Sequence, residues 1–429
     1  MKRTLISDLS EKIGEEALIC GRVLNIRDLG GVTFLVIQDR TGKIQTVIKE
    51  KNVDIQLGEV VEIKGIPEED ERAEGGVELS IEDLKVISNN YEDLPFDISK
   101  DNLKLKLDSL LNHRTTAIRH PKIQAIFKLY SSFLENYTKV LSEDDFIKIK
   151  TPKLLSAASE GGADFFKVDY FEREAYLAQS PQLYKQIMAG AFERVFEIGP
   201  AFRAEPHVTS RHVNEYTSCD AELSFIDSFR DVTKKLTQTL RGVFNGMRTE
   251  ENKKYLKEYG KEIPEVPEEI PHVKLSKIKE IIEKKYDYKV PESTDIDPKG
   301  ERLAGRYAKE EFDSDFIFIT HYPWEKSPFY TMQSSENPEE TYSFDLLFKG
   351  VEIVTGSQRI NDYEELIENM RKKGIEPDGL EFYLDTFKYA MPPHGGWGMG
   401  SERVIQQILE LDNIKEAILF PRDMKRLAP

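Results

Sequence analysis

Cysteine and long apolar runs are scarce in this sequence, and each scarcity excludes a class of protein. Cys20 and Cys219 are the only cysteines in the 429 residues, and they lie far apart. The chain therefore offers neither a disulfide framework nor the paired cysteines of a thiolate zinc site. No run approaches the roughly 18 apolar residues that span a membrane. These absences predict a cytoplasmic protein, with its thiols reduced, that does not enter the membrane.

Positive charge is also in deficit. The chain carries 60 Lys and Arg against 77 Asp and Glu, a formal net charge of −17. Generic polyanion-binding domains usually have an excess of base, so this balance argues against that class but not against a local basic surface. Hydrophobic residues make up 39% of the chain, enough for a folded core. The length favours two or three domains.

Short apolar stretches separated by glycine-containing turns fill residues 17–87, beginning with "ALICGRVLNIRDLGGVTFLVIQDRTGKIQTVI". Five such strands favour a small closed β-barrel, with the OB-fold as the natural candidate and another small barrel as the alternative. We assign this barrel to residues 1–95 and treat the polar residues 96–118 as a hinge. Residues 119–429 then form a larger domain.

The larger domain has the pattern of an α+β fold. Apolar residues from Ile123 to Leu141 recur at helical spacing, and a strand closed by Pro152 follows. Further strand patterns such as "RVFEIGPAFRAE" and "YSFDLLFKGVEIVTG" predict a mostly antiparallel sheet flanked by helices. The charged residues 248–300 interrupt this pattern. We expect them to form a helical, solvent-facing insertion without chemistry.

Three segments of the larger domain carry residues suited to phosphate chemistry. Phe202-Arg203-Ala204-Glu205 ends a strand and opens into a basic loop, where arginine suits phosphate oxygens and glutamate suits an amine. A surface hairpin with scattered charge is the alternative. The glycine-rich run 395–400 leads directly into a helix whose first turn contains Arg403, an arrangement that lets backbone and arginine approach an anion.

The third segment places Asp345 and Glu352 seven residues apart, with Gly350 permitting a tight turn between two strands. With the hydroxyl of Thr355, these carboxylates are suitable oxygen ligands for Mg²⁺. Arg359 would suit an anionic substrate. The alternative is that all four are ordinary polar residues of a hairpin.

Together with the earlier strand closed by Pro152, these segments resemble the class II aminoacyl-tRNA synthetases. Pro152 looks like part of motif 1, Phe202–Glu205 like motif 2 and Gly400–Arg403 like motif 3. The barrel in front narrows the resemblance to the aspartate, asparagine and lysine subgroup. The segments "YLAQSPQLYKQIM", "FRAEPHVTSRHVNE" and "MPPHGGWGMGSER" are similar to the archaeal-type group for aspartate. This resemblance covers nearly the whole chain.

The resemblance implies a role for many individual residues. Arg203 and Arg403 would be the catalytic cations. The implied ATP-binding residues are Arg203, Ala204, Glu205, Arg211, His212, Val213, Glu352, Gly400, Ser401, Glu402 and Arg403. The implied aspartate-binding residues are Glu160, Gln182, Leu183, Tyr184, Lys185, Arg203, Thr355 and Arg359. Mg²⁺ would be held by Glu352 with Thr355 or Asp345, and an anticodon by Arg27, Phe34 and Gln45.

The implied activity is that of an aspartate–tRNA ligase, a homodimer that uses ATP and Mg²⁺. It would activate L-aspartate as aspartyl-adenylate and transfer it to the 3′ end of tRNA-Asp. Two cations, Lys185 and Arg359, favour aspartate over asparagine. An asparagine–tRNA ligase, an ammonia-dependent asparagine synthetase and a non-catalytic RNA-binding protein are the alternatives. Because Arg22, Leu24 and the acidic loop around Glu74 depart from residues found in members that reject the asparagine tRNA, the resemblance leaves open whether tRNA-Asn is charged as well.

Overall fold

Alternation of buried and outward-facing residues builds a closed barrel in the first unit of the chain. The structure, a computed structural model, describes residues 1–49, 54–73, 75–100, 102–156, 165–206, 209–292 and 295–429. Its first unit, Met1–Ile123, closes five strands in the order β1-β2-β3-β5-β4, which confirms the predicted OB-type barrel. These strands are β1 (Ala17–Asp28), β2 (Thr33–Gln38), β3 (Lys43–Ile48), β4 (Val60–Glu69) and β5 (Val77–Ser88).

The barrel core is apolar, and its β2 strand has two distinct faces. Leu35 and Ile37 are fully buried among the core side chains, whereas Phe34 is only partly buried and lies outside that cluster. Successive side chains of a strand point to opposite faces, so Phe34 faces outward. The predicted hinge contains two short helices, α1 (Leu107–Asn112) and α2 (Arg114–Ala117).

The second unit, Gln124–Pro429, is built on an eight-stranded sheet in the order β12-β13-β14-β15-β16-β11-β10-β6. Only its two outermost pairs are parallel, so the prediction of a mostly antiparallel sheet is confirmed. Its strands are β6 (Ile147–Lys148), β10 (Arg194–Phe202), β11 (Glu215–Ser224), β12 (His272–Lys274), β13 (Phe316–Thr320), β14 (Ser343–Phe348), β15 (Val351–Gln358) and β16 (His394–Gly400). A separate three-stranded sheet joins β7 (Leu154–Leu155), β8 (Lys167–Tyr170) and β9 (Arg173–Leu177).

Helices cover this sheet. They are α3 (Pro121–Glu143), α4 (Gln182–Phe192), α5 (Phe229–Gly246), α6 (Glu250–Lys257), α7 (Leu275–Tyr286), α8 (Pro298–Phe312), α9 (Tyr363–Lys372), α10 (Glu381–Lys388) and α11 (Ser401–Leu409). On α3, Phe133, Tyr137 and Leu141 follow the predicted helical spacing and are fully buried. Each such side chain contributes about 1.5–3 kcal/mol by leaving water. Among the described residues, no helix has the length and apolar character needed to cross a membrane.

The segment 248–300 was expected to be a solvent-facing insertion, but in the structure part of it is buried. Leu256, Ile263 and Ile270 are buried in the main core, and β12 pairs with β13 as the edge strand of the large sheet. Helices α7 and α8 share a second apolar cluster that includes Ile278. In the sequence of residues 248–300, charged residues outnumber the apolar ones, and for this reason the sequence analysis missed the buried face of the segment. The segment therefore belongs to the layer that supports the sheet.

Candidate active site

One cavity on the large sheet collects most of the residues singled out by the sequence. It opens to solvent, and its empty space, counted together with the solvent at its mouth, is about 1100 Å³. A concave site where a few polar and charged side chains converge is the usual place for a small ligand. The predicted residues on its wall are Gln182, Lys185, Arg203, Glu205, Arg211, His212, Val213, Glu352, Thr355, Arg359, Gly400, Glu402 and Arg403.

The outer part of the cavity begins where β10 ends. Arg203 and Glu205 directly follow this strand, and the guanidinium of Arg203 lies over the ring of Tyr216 at 5.6 Å. Asn214 fixes the two ends of the connecting loop, because its side-chain amide donates to the carbonyl oxygens of Arg203 (2.7 Å) and Glu205 (3.2 Å). An arginine and a glutamate are thus presented side by side at the mouth of the cavity.

The loop itself carries Arg211 and His212. The Arg211 guanidinium donates to the Glu301 carboxylate at 2.8 Å, and His212 Nε2 lies 3.5 Å from the Glu205 carboxylate. Burial raises the pKa of Glu301, with Arg211 opposing that shift. Residues 207–208 of this loop lie outside the described part of the chain.

Two cations and two carboxylates meet at the buried end of the cavity. Lys185, on α4, is 1% exposed, and its ammonium lies 2.9 Å from Asp220 and 3.5 Å from Glu222. Arg359 donates to both oxygens of Glu222, at 2.8 and 3.2 Å. Burial alone would raise the pKa of Glu222, but Arg359 and Lys185 outweigh it and hold this pKa below its ordinary value. The four charges form one balanced, fully buried cluster.

The sequence analysis did not single out Asp220 and Glu222, although a signal for them exists. In β11 the polar side chains Ser218, Asp220 and Glu222 alternate with Cys219 and Ala221. A period of two places all three on one face of a strand. The same alternation occurs in strands whose polar face lies in open solvent, so the sequence indicates the face and the fold makes it part of the cavity wall.

A second buried network lies behind Gln182. Its side-chain amide donates to Gln186 at 3.1 Å, and Gln186 in turn contacts His394 Nε2 at 2.9 Å. His394 Nδ1 lies 3.0 Å from the carbonyl oxygen of Pro392, so this nitrogen carries the proton. Burial lowers the pKa of His394 to about 4, which keeps the ring neutral near pH 7.

Glycines in β16 make room for the buried carboxylates. A Cβ atom at Gly396 would lie 2.1 Å from a Glu222 oxygen, and one at Gly398 would lie 3.2 Å from Asp220. A side chain at Gly396 is therefore sterically excluded. The strand leads into α11, whose first turn contains Arg403, as the sequence predicts.

Carboxylates and a hydroxyl come together on β14 and β15. The tight turn at Gly350, with φ of +73°, pairs Asp345 with Thr355, and their side-chain oxygens lie 2.7 Å apart. Thr355 also lies 3.3 Å from a Glu352 oxygen, and Arg403 donates to that carboxylate at 3.1 Å. Burial, followed by repulsion from Glu352, raises the pKa of Asp345 to about 8.

The carboxylates of Asp345 and Glu352 fit an Mg²⁺ ion that takes its remaining ligands from water and substrate. In the described part of the chain, no three His, Cys, Asp or Glu side chains form a metal cage. Mg²⁺ usually takes one or two carboxylates and completes its shell with water and substrate phosphates. Asp345 and Glu352 match that pattern, and their mutual repulsion makes a cation between them favourable.

Several predicted residues lie elsewhere. Leu183 is buried in an apolar cluster behind α4, and Tyr184 stacks on Phe382 with ring centroids 5.4 Å apart. Ser401 is buried and donates to the carbonyl oxygen of Thr217. Ala204 and Asp345 do not line the cavity either. Glu160 is outside the described residues.

In the barrel, the three predicted anticodon residues lie on adjacent strands. Arg27 of β1 pairs directly with Phe34 of β2, and Gln45 of β3 pairs with Val36. The Gln45 amide donates to Glu78 at 2.6 Å. Arg27 is exposed and Phe34 faces outward, so the strands present a cation and an aromatic ring side by side.

A catalytic sheet that carries these arginines and carboxylates, preceded by an OB-type barrel, defines a class II tRNA synthetase. The family model described as tRNA synthetases class II (D, K and N) matches residues 106–424, and the model for OB-fold nucleic acid binding domains matches residues 17–87. The chain belongs to the class II tRNA synthetases for aspartate, lysine and asparagine, and the resemblance predicted from its motifs is confirmed. It is a ligase that uses ATP as a substrate.

Curated relatives match over the whole length. An aspartate–tRNA(Asp/Asn) ligase from Aeropyrum pernix is 44% identical over 99% of this chain and 98% of its own. An enzyme of the same name from Thermus thermophilus is 40% identical, and an aspartate–tRNA(Asp) ligase from Pyrococcus horikoshii is 41% identical, both over 100% of each chain.

Solved structures include members for both amino acids. The asparaginyl-tRNA synthetase of Pyrococcus horikoshii, complexed with asparaginyl-adenylate, has a TM-score of 0.91 and 30% identity over 100% of both chains. A putative aspartyl-tRNA synthetase from Leishmania major has a TM-score of 0.89 and 27% identity, covering 100% of this chain and 95% of its own. The fold is thus common to both specificities.

Proposed function

We propose that this enzyme is an aspartate–tRNA ligase. The observation that carries the proposal is the buried end of the cavity, where Lys185 and Arg359, paired with Asp220 and Glu222, line the space that a small amino acid would occupy. An aspartate side chain offers two acceptor oxygens to these two donor side chains, whereas asparagine offers one oxygen and a donating amide. The curated relatives named as aspartate–tRNA ligases support the same substrate.

The outer part of the cavity binds ATP in this proposal. Arg203 contacts the α-phosphate and the substrate carboxylate, Glu205 accepts from the adenine amine, and Arg403 binds the γ-phosphate. Arg211 and His212 belong to the loop that covers the nucleotide. Their convergence on one cavity supports these roles. Gln182 and Glu160 complete the amino-acid site, with Glu160 facing the substrate ammonium.

Mg²⁺ would be held by Glu352 together with Asp345 or Thr355. When bound, the ion neutralises charge on the triphosphate and on the departing pyrophosphate. Arg403 lies within hydrogen-bond distance of Glu352, so arginine and ion would act on the same phosphates.

The reaction then needs positioning and electrostatic stabilisation rather than a protein nucleophile. The α-carboxylate of aspartate attacks the α-phosphorus in line, and the phosphoanhydride bond to pyrophosphate breaks. Arg203 and Arg403 stabilise the charge that develops on the phosphorus oxygens. The 3′-hydroxyl of the terminal tRNA adenosine next attacks the aspartyl carbonyl, which forms the ester and releases AMP.

Transfer RNA binds through the barrel as well as through the catalytic domain. Phe34 stacks on an anticodon base, while Gln45 and the exposed Arg27 contact the base edge and backbone. Stacking on an aromatic side chain is typical of single-stranded RNA recognition and does not require an excess of positive charge over the whole protein.

The working enzyme is a cytoplasmic homodimer in this proposal. Helix α3 and the strand after it would form the interface, as the position of motif 1 implies. Ile147 and Leu154, which follow α3, are apolar but 45% and 48% exposed in the single chain. Their burial by a second copy would remove apolar surface from water.

The test is charging of purified tRNA-Asp and tRNA-Asn transcripts with radiolabelled aspartate, in parallel with asparagine. Aspartate on tRNA-Asp alone identifies a discriminating enzyme, and aspartate on both identifies a relaxed one. Both kinds of name occur among the relatives, so both outcomes support the proposal. Charging with asparagine only would refute the proposal and establish the alternative, an asparagine–tRNA ligase.

A further inference from the structure

Glu301 is a buried carboxylate just outside the cavity. It lies in the first turn of α8, which packs on the sheet face that carries Asp345 and Thr355, and it is 9% exposed. One of its oxygens, Oε2, accepts from the Arg211 guanidinium at 2.8 Å and lies 3.4 Å from the backbone nitrogen of Glu352. A single carboxylate therefore joins the loop at the cavity mouth to the strand that carries the proposed Mg²⁺ ligand.

The position of Glu301 is fixed by close backbone packing. A Cβ atom at Gly305 would lie 2.4 Å from the backbone nitrogen of Gly350, and one at Gly350 would lie 2.7 Å from Cα of Arg302. Both distances are well below a normal contact, so only glycines allow α8 to pack this closely on the β14–β15 turn. This packing brings Glu301 within reach of Glu352.

The ion pair is also more than a surface contact. The side chains of Arg211 and Glu301 are 16% and 11% exposed, so water screens their attraction only weakly. Exposed pairs contribute about 0–1 kcal/mol, whereas enclosed, charge-assisted hydrogen bonds also fix direction. Arg211 lines the cavity and Glu301 does not.

We propose that Glu301 is a positioning residue, which holds the guanidinium of Arg211 at the cavity wall so that it meets the triphosphate of ATP. Glu301 acts through Arg211 and touches no substrate itself. The backbone contact to Glu352 fixes the same carboxylate to the strand, so the loop arginine and the metal-binding strand keep a constant separation. This inference rests on the proposed nucleotide site.

The test is aspartate-dependent exchange of pyrophosphate into ATP by the full-length enzyme carrying Glu301→Gln. Glutamine keeps the shape and the acceptor oxygen but removes the charge, which weakens the hydrogen bond to Arg211. We expect KM for ATP to rise about fivefold, the equivalent of about 1 kcal/mol in one hydrogen bond. KM for aspartate should stay within about twofold, because the contacts of Lys185 and Arg359 are untouched.

A matched control lies on the same helix. Glu310→Gln removes a carboxylate that pairs with Arg306 at 2.7 Å on the outer side of α8. It should leave both KM values unchanged. If Glu301→Gln is unfolded at the assay temperature, as its thermal midpoint would show, Glu301→Asp is the second variant. It keeps the charge, withdraws the carboxylate from Arg211, and should raise KM for ATP in the same way.

A double-mutant comparison separates positioning from general damage. In an Arg211→Ala background, adding Glu301→Gln should change KM for ATP by less than about twofold, because the group it orients is gone. Two results would overturn the inference. One is a double variant whose rise in KM for ATP equals the product of the rises in the two single variants, and the other is a Glu301→Gln enzyme with normal KM for ATP. Failure of the unaltered enzyme to exchange with aspartate would instead refute the proposed function.

Discussion

Replacement of Lys185 by methionine tests the buried end of the cavity most directly. The Lys185 ammonium lies 2.9 Å from Asp220, 2.9 Å from the carbonyl oxygen of Trp397 and 3.5 Å from Glu222. Methionine has a similar length and fills the same space, but it has neither charge nor hydrogen-bond donors. The change therefore removes the electrostatic contacts while leaving the packing nearly intact.

These contacts set the expected change in KM for aspartate and the expected loss of folding free energy. A hydrogen bond to a charged group contributes about 1.5–3 kcal/mol, so loss of one to the aspartate side chain should raise KM for aspartate about 10- to 100-fold. Breaking a buried ion pair by removing one partner costs about 3–5 kcal/mol of folding free energy. We expect the lower end of that range, because Ser218 still donates to Asp220.

The assay is pyrophosphate exchange, titrated with aspartate at saturating ATP and then with ATP at saturating aspartate. Lys235→Met is the matched control, because Lys235 also pairs with an aspartate, Asp144 at 2.6 Å, but lies away from the cavity. Equal rises of both KM values in Lys185→Met would indicate a collapsed site. An unchanged KM for aspartate would refute the role of the cation.

Two further predictions concern the proposed Mg²⁺ ligands and the arginine beside them. Arg403→Ala should abolish adenylate formation and leave the thermal midpoint within a few degrees, because the Arg403 guanidinium is partly exposed and its hydrogen bonds go to Glu352. Full exchange activity would contradict its role. Asp345→Asn should stabilise the metal-free protein near pH 8. Since the folded-state pKa of Asp345 is raised to about 8, the folded protein holds a proton that the unfolded chain releases near pH 4, and stability falls as pH rises between these values. Thermal melts of the unaltered protein and of Asp345→Asn, recorded in chelator across this pH range, should show a smaller fall of the thermal midpoint for Asp345→Asn. Parallel curves of midpoint against pH would show that Asp345 is not the source of the pH dependence.

The sequence was most informative where local pattern determines structure. Short apolar stretches between glycine-containing turns predicted the strands of the barrel, and Gly350 predicted the turn that brings Asp345 to Thr355. The glycine run before Arg403 predicted a strand leading into a helix, as the structure has it. In each case the signal lies within about ten residues of chain, because period and turn geometry are local properties.

The partners of the cations could not be predicted in this way. Arg359 and Glu222 are 137 residues apart in sequence, and Arg211 and Glu301 are 90 apart. Such pairs depend on how the elements pack, and no spacing rule relates them. Glu301 was concealed further because it follows directly on a charged segment to which the sequence analysis gave no chemistry.

The buried carboxylates also change the argument for amino-acid specificity. Lys185 and Arg359 are balanced by Asp220 and Glu222 before any substrate binds, so excess positive charge alone does not select aspartate. Selection of aspartate then depends on the direction of the hydrogen bonds. Lysine and arginine side chains only donate, and Asp220 and Glu222 hold these two side chains in fixed orientations. An asparagine amide would place its own donors against these groups, a mismatch that excludes it more effectively than a lost contact. Lys185→Met should therefore narrow the ratio of kcat/KM between aspartate and asparagine, even though it weakens binding of aspartate itself.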